Sequence, residues 1–284
     1  MENFKLIPKL LSPRNRSDYI QKIPMVIWQT MKTNVVPVFM KDYTDTWIDL
    51  NPEYEYRFFD DNDVVEFISS DFPDYLEGYY KLEYGASKAD LWRYLIIYKF
   101  GGVYADLDCK CLRPLREWIK NEATFVTQLG TNKDICQWLI ISVPNNPIFL
   151  KAAEKTLENS NKKKSKTFYH GFRFIENKLQ IIENETIKST HPVLSLSGPP
   201  VLQEAAEKCM RENLLFDFLP YFQIVCVSSV LVSCQMNNYV AHETGNEEYL
   251  KSFKKLKLIH YNSRVEKLKR KIISALSFYY YFKK

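Results

Sequence analysis

No stretch of this 284-residue chain reaches eighteen consecutive apolar residues, so a membrane-crossing helix is not expected. The longest apolar run, Ile224 to Val232, is broken by Ser228 and Ser229 and reads as a buried strand. Met1 to Pro8 has no long apolar core, so a signal peptide is not expected either. No internal repeat is evident. The six cysteines (109, 111, 136, 209, 226 and 234) are scattered, and Cys109-x-Cys111 has no second pair at zinc-site spacing. They read as reduced core or rim residues rather than as a zinc centre or a disulfide framework. Aromatic residues in the basic tail cluster only at Phe278 to Phe282, without a nucleic-acid motif, so a nucleic-acid partner is not expected. These absences together predict a cytoplasmic protein, attached at most to a membrane surface.

What is present suits one large α/β domain, or two small ones, with an ample core. Hydrophobic residues make up 46% of the chain and aromatic residues 15%. The net charge of +5 is unevenly spread. Residues 251–284 hold eleven Lys or Arg and one acid, Glu266, for +10, which leaves 28 basic against 33 acidic residues, or −5, on the rest. Within the tail, Val265, Leu268, Ile272, Ile273 and Leu276 form an apolar stripe flanked by Lys267, Lys269, Arg270 and Lys271. A basic amphipathic helix of this kind binds a membrane surface or docks on the body. The expected division is a lead-in over 1–22, a domain over 23–263 and a tail over 264–284.

The most informative stretch is Ala86 to Asp108. Apolar residues at Leu91, Tyr94, Leu95 and Tyr98 have the spacing of an amphipathic helix, Ser87 with Asp90 resembles a capping box, and Gly101-Gly102 supplies a left-handed stop. Val103-Tyr104-Ala105 then begins a strand, and Asp106-Leu107-Asp108 follows it. In open α/β sheets ligands gather at that carboxyl edge. Two carboxylates are enough to recruit a hard cation such as Mn²⁺ or Mg²⁺ that keeps positions free for phosphate oxygens.

The surrounding chain alternates strand and helix, the rhythm of a mostly parallel sheet. Ile23 to Thr30 reads as a first strand, with Trp28 at its end either offering a ring to a nucleotide base or packing in the core. A helix over Phe39 to Leu50, a strand over Glu53 to Phe59 and a helix opened by Asp60 to Asp63 follow; those acids read as caps. Further strands are predicted at Ala123 to Thr127 and Gln137 to Val143, a helix at Ile148 to Asn159, and two strands with a turn between Leu214 and Val232. Ser197-Gly198-Pro199-Pro200 precedes a helix from Val201; it is either a close-approach turn for sugar or phosphate or ordinary punctuation.

Ile23-Pro24 with Trp28-Gln29-Thr30, Asn51 to Arg57, and above all Ala86 to Tyr94 with Gly101 to Asp108 resemble glycosyltransferase family 32. That family includes initiating α-1,6-mannosyltransferases, inositolphosphoceramide mannosyltransferases and bacterial capsule sugar transferases, and is distantly similar to the clostridial glucosylating toxins. The likeness is dense over residues 23–116. It implies a GT-A fold of Rossmann-like type, a UDP- or GDP-sugar donor, a glycan or lipid-linked acceptor, a divalent metal and retention of anomeric configuration. It also implies that Asp90 faces sugar hydroxyls, that Arg93 faces the diphosphate or sugar, and that Tyr104 and Asp106 contact ribose and metal. Asp108 would be the direct metal ligand. Gly102 and Trp28-Gln29-Thr30 would line the nucleotide-sugar site, and His242, with His260 as the other candidate, would complete the metal shell. Two departures stand out: relatives have a His where this chain has Trp28, and they close with a Ser-Trp, whereas Trp138 is the last tryptophan here. The rival reading is a carbohydrate- or lipid-surface-binding protein on a decayed transferase fold.

Overall fold

The computed structural model describes residues 4–15, 19–129, 133–162, 166–175, 178–189, 191–215, 217–225 and 232–234. His242, His260 and the 264–284 tail lie outside the described residues. In chain order the elements are β1 (Phe4–Leu6), β2 (Leu10–Leu11), β3 (Val26–Thr30), β4 (Val35–Pro37), α1 (Val38–Leu50), β5 (Glu55–Phe59), α2 (Asp61–Asp71), α3 (Pro73–Lys81) and α4 (Gly85–Phe100). Then come β6 (Gly102–Ala105), β7 (Cys109–Cys111), β8 (Phe125–Thr127), β9 (Leu139–Ser142) and α5 (Pro147–Asn161). The hairpin β10 (Thr167–Ile175) and β11 (Lys178–Ser189) precedes α6 (Pro192–Ser197), α7 (Pro199–Arg211), β12 (Phe222–Ile224) and β13 (Val232–Cys234).

A seven-stranded sheet of order β12-β8-β9-β6-β3-β5-β2 forms the centre. Pairing is parallel for β12–β8, β6–β3 and β3–β5 and antiparallel for the rest, so all but β9 and β2 run the same way. The mixed, largely parallel α/β sheet agrees with the expectation.

Helices cover both faces, and this explains why the strands read as unbroken apolar runs. Side chains alternate between two cores: Ile27, Val103, Ala105 and Ile141 pack on the α1 side, whereas Trp28, Tyr104, Phe125 and Ile140 pack on the side of α4, α5 and α7. In β6, therefore, Tyr104 is the side chain turned toward α4.

Helix α4 differs from its expected form. It is buried at Ser87 and throughout Asp90 to Ile97, so it is a central helix without a solvent face. Its first residue follows Tyr84, and Ser87 and Asp90 sit inside it rather than capping it. The stop is as expected: Gly101 has φ +64° and Gly102 φ +97°. A Cβ on Gly101 would lie 2.7 Å from Ser142 O and Pro144 N, so only glycine fits both the dihedral and the space. Asp60 caps α2 in a reciprocal box with Asp63, as its sequence suggests. Of the stretch from Leu214 to Val232, the described residues hold turns and a 3-10 helix (Leu219–Tyr221), then β12, with β13 beginning at Val232; residues 226–231, between those two strands, lie outside them.

Candidate functional site

Asp106 and Asp108 flank a tight turn just past β6. Asp106 N donates to Trp138 O at 2.9 Å and Cys109 N closes the turn on Asp106 O at 3.0 Å. Leu107 points inward and is buried, while both acids are half-exposed. Beyond the turn, α1 holds the chain: Trp47 Nε1 donates to Cys109 O at 2.7 Å, and Cys111 N donates to Thr46 Oγ1 at 3.0 Å. The two acids are thus fixed between sheet and helix. The anchors on α1 escape sequence reasoning because Trp47 and Thr46 read there as an ordinary helix face.

Arg93 connects the acids to α4. Its Nη2 lies 3.2 Å from Asp90 Oδ1 and 3.2 Å from Asp106 Oδ1, and its Nη1 donates to Gln137 O at 3.0 Å. The guanidinium carbon sits 4.4 Å from the Tyr104 ring centroid, and the Tyr104 hydroxyl donates to Asp106 Oδ1 at 2.5 Å. Arg93 is only 7% exposed and is committed to two carboxylates. In this arrangement it braces the acids. Its Nε is buried and has no partner among the described residues.

Asp90 is likewise 7% exposed. Its Oδ2 accepts from Ser197 Oγ at 2.7 Å, so the Ser197-Gly198-Pro199-Pro200 turn is brought to the site. Burial pushes the Asp90 carboxyl up to about 6, against the pull of Arg93 and Ser197 in the other direction. Burial also raises the Tyr104 phenol well above its ordinary value, so it stays a hydrogen-bond donor at neutral pH.

The other expected site residues have these surroundings. Trp28 takes the core-packing role: it is 3% exposed, its Nε1 donates to Gly101 O at 2.8 Å, and it stacks on Phe100. Gln29 is fully buried on the opposite face, accepting from Thr44 at 3.0 Å and Tyr56 at 2.9 Å. Thr30 Oγ1 donates to Phe59 O at 2.7 Å. Gly102 is buried, with Trp28 Nε1 2.9 Å from where its Cβ would be, so its smallness serves strand packing.

For a divalent cation, the described residues provide two carboxylates and no group of three ligating side chains. Among the described residues, Arg93 and Tyr104 both meet the Asp106 carboxylate at Oδ1. A hard cation that takes its remaining ligands from phosphate and water fits such a pair. The chain also returns here, because β13 pairs antiparallel with β7 directly after the two acids.

The stretch that carries these residues resembles known proteins. Residues 37–125 match the family model described as "Glycosyltransferase sugar-binding region containing DXD motif". A mannosyl phosphorylinositol ceramide synthase of Saccharomyces cerevisiae is 36% identical over 144 residues, covering 50% of this chain and 36% of that protein. Inositol phosphoceramide mannosyltransferase 3 of Schizosaccharomyces pombe is 44% identical over 93 residues, 33% of this chain and 26% of that protein. An initiation-specific alpha-1,6-mannosyltransferase of Candida albicans is 31% identical over 160 residues, 46% of this chain and 42% of that protein. The chain thus spans less than half the length of these relatives. Among solved structures, the ligand-free glycosyltransferase domain of the YGT toxin superposes with TM-score 0.50 at 10% identity, covering 75% of this chain and 81% of that one. Residues 37–125 therefore resemble the DXD-containing sugar-binding region of glycosyltransferases, and the chain shares a GT-A fold with solved glycosyltransferase domains.

Proposed function

We propose that this protein is a metal-dependent, retaining glycosyltransferase. It moves a hexose from a nucleotide-diphosphate sugar to a hydroxyl of a glycan, glycolipid or glycoprotein. The observation that carries the reading is the connected set Asp90, Arg93, Tyr104 and Asp106, with Asp108 across the same turn, at the carboxyl edge of the sheet. Two carboxylates share one guanidinium there and Asp108 adds a third negative charge nearby, so a diphosphate is repelled unless a cation accompanies it. Asp108 and the outer oxygen of Asp106 are the protein ligands in this reading, and His242 is proposed as a third. The return of the chain at β13 (Val232–Cys234), which pairs with β7 beside the two acids, supports that choice. When bound, Mn²⁺ or Mg²⁺ supplies charge neutralisation for the departing diphosphate.

The protein's own groups keep the acids in place. Arg93 and Tyr104 hold Asp106 on one side, leaving its other oxygen for ribose or metal. Asp90, held by Arg93 and Ser197, is presented to sugar hydroxyls. The relatives' names make mannose the first sugar to test and an inositol phosphoceramide-type lipid the first acceptor. The intact set of charged residues favours catalysis over a binding-only role. The test is a panel of UDP- and GDP-sugars assayed for hydrolysis and transfer with and without Mn²⁺. Metal-dependent turnover of one donor supports the reading, and none with any donor refutes it.

No helix among the described residues is long and apolar enough to cross a membrane. The basic 264–284 segment is proposed as a peripheral membrane contact. Salt-sensitive co-sedimentation with anionic vesicles that is lost on its deletion would support that role.

A further inference from the structure

Helix α6 ends in a knot of buried hydrogen bonds from which one hydroxyl reaches Asp90 directly. Ser195 O accepts from Asn159 Nδ2 at 3.2 Å and from Thr167 Oγ1 at 3.0 Å, so α5 and β10 both grip this helix end. Ser197 O accepts from Tyr94 OH at 2.7 Å and Gln137 Nε2 at 3.1 Å, which ties it to α4 and to the segment before β9. Ser197 is fully buried, and its Oγ lies 2.9 Å from Ser87 Oγ and 2.7 Å from Asp90 Oδ2. A hydroxyl has one proton to give. The shorter, charge-assisted contact takes it, so Ser197 donates to Asp90 and accepts from Ser87.

From this geometry we infer that Ser197 is a positioning residue for sugar recognition, acting through Asp90. The inference rests on the donor-site reading proposed above. Arg93 holds Asp90 Oδ1 and Ser197 holds Oδ2, with a further side-chain hydrogen bond from Gln137, so the carboxylate plane is fixed from several sides. Removing the hydroxyl takes away the 2.7 Å hold on Oδ2 and loosens the carboxylate. The nucleotide half of the donor, which the reading assigns to Tyr104, Asp106 and Asp108, is untouched.

The experiment compares wild type, Ser197→Ala, Ser197→Thr, Asp90→Ala and the Ser197→Ala/Asp90→Ala double variant, each checked for folding by circular dichroism. The donor is whichever of GDP-mannose, UDP-glucose and UDP-galactose the wild type hydrolyses with Mn²⁺. The matching nucleoside diphosphate serves as the sugar-free probe. Ser197→Ala is expected to weaken sugar-nucleotide binding or turnover roughly ten- to a hundredfold, the range for one charge-assisted hydrogen bond. Nucleoside diphosphate affinity stays within about twofold on the same argument, since no contact to that half changes. Ser197→Thr, which keeps the hydroxyl, recovers most of the loss, and Ser197→Ala costs nothing further once Asp90 is gone. If the Ala variant fails to fold, Ser87→Ala replaces it, with a smaller effect of the same selectivity. Equal losses for donor and diphosphate, or additive losses in the double variant, overturn the inference and leave the donor site standing. A wild type that binds and hydrolyses none of the three donors overturns both.

Discussion

Arg93 Nη2 lies 3.2 Å from Asp106 Oδ1, the same oxygen that accepts the Tyr104 hydroxyl at 2.5 Å. One carboxylate at the sheet edge is therefore tied to the central helix and to its own strand at once. Arg93→Met leaves Asp90 and Asp106 facing each other without the shared cation. Removing one partner of a buried pair costs about 3–5 kcal/mol, so a fall in Tm of several degrees is expected in thermal melts. Arg93→Lys recovers little, because an ammonium cannot span both carboxylates and the Gln137 carbonyl in one plane.

Asp90 makes a pH prediction with a definite sign. Its folded-state carboxyl is raised from 3.8 to about 6, so between roughly pH 4 and 6 the folded state holds a proton that the unfolded state has released. This group's contribution to stability is therefore greatest at low pH and declines as pH rises through that window. Urea unfolding of wild type against Asp90→Asn should show that slope in the first and not the second. If the carboxylate form recognises the sugar, kcat/KM rises with an acid limb near pH 6.

The two acids of the D-x-D turn should separate by variant. Asp108→Ala changes a half-exposed side chain, so it abolishes turnover while shifting Tm little. Asp106→Ala also strips Arg93 and Tyr104 of a shared acceptor, and a loss of about 2 kcal/mol or more accompanies its loss of activity. Equal melts for the two variants would contradict the bracing geometry.

Gly101→Ala tests the turn that launches β6. The positive φ and the 2.7 Å approach to Ser142 O and Pro144 N both oppose a side chain, so destabilisation of about 2 kcal/mol or more is expected in chemical denaturation. A near-neutral result would mean that the turn can relax.

Much of this was legible along the chain. The strand-helix rhythm from Val26 to Asp108, the Asp60 cap and the glycine stop follow from local chemistry, and local chemistry survives folding. Ser87 and Asp90 misled because a Ser-x-x-Asp spacing describes a cap and a buried helix turn equally; the deciding partner, Ser197, is far away in sequence. Trp28 was ambiguous until Gly101 O was placed beside its indole. The β10–β11 hairpin was invisible because it packs on α7 rather than in the main sheet, and the exposed Glu183-Asn184-Glu185-Thr186 run breaks any alternation.

The central claim is that Asp106 and Asp108 hold a divalent cation for a sugar nucleotide. The most direct measurement is a thermal-shift titration of wild type and Asp108→Ala with GDP-mannose and UDP-sugars, each with and without Mn²⁺. Stabilisation of RT ln(1 + [L]/Kd) should appear only with donor and Mn²⁺ together, and only in the wild type. Identical shifts with and without the metal, or in both proteins, would contradict the account.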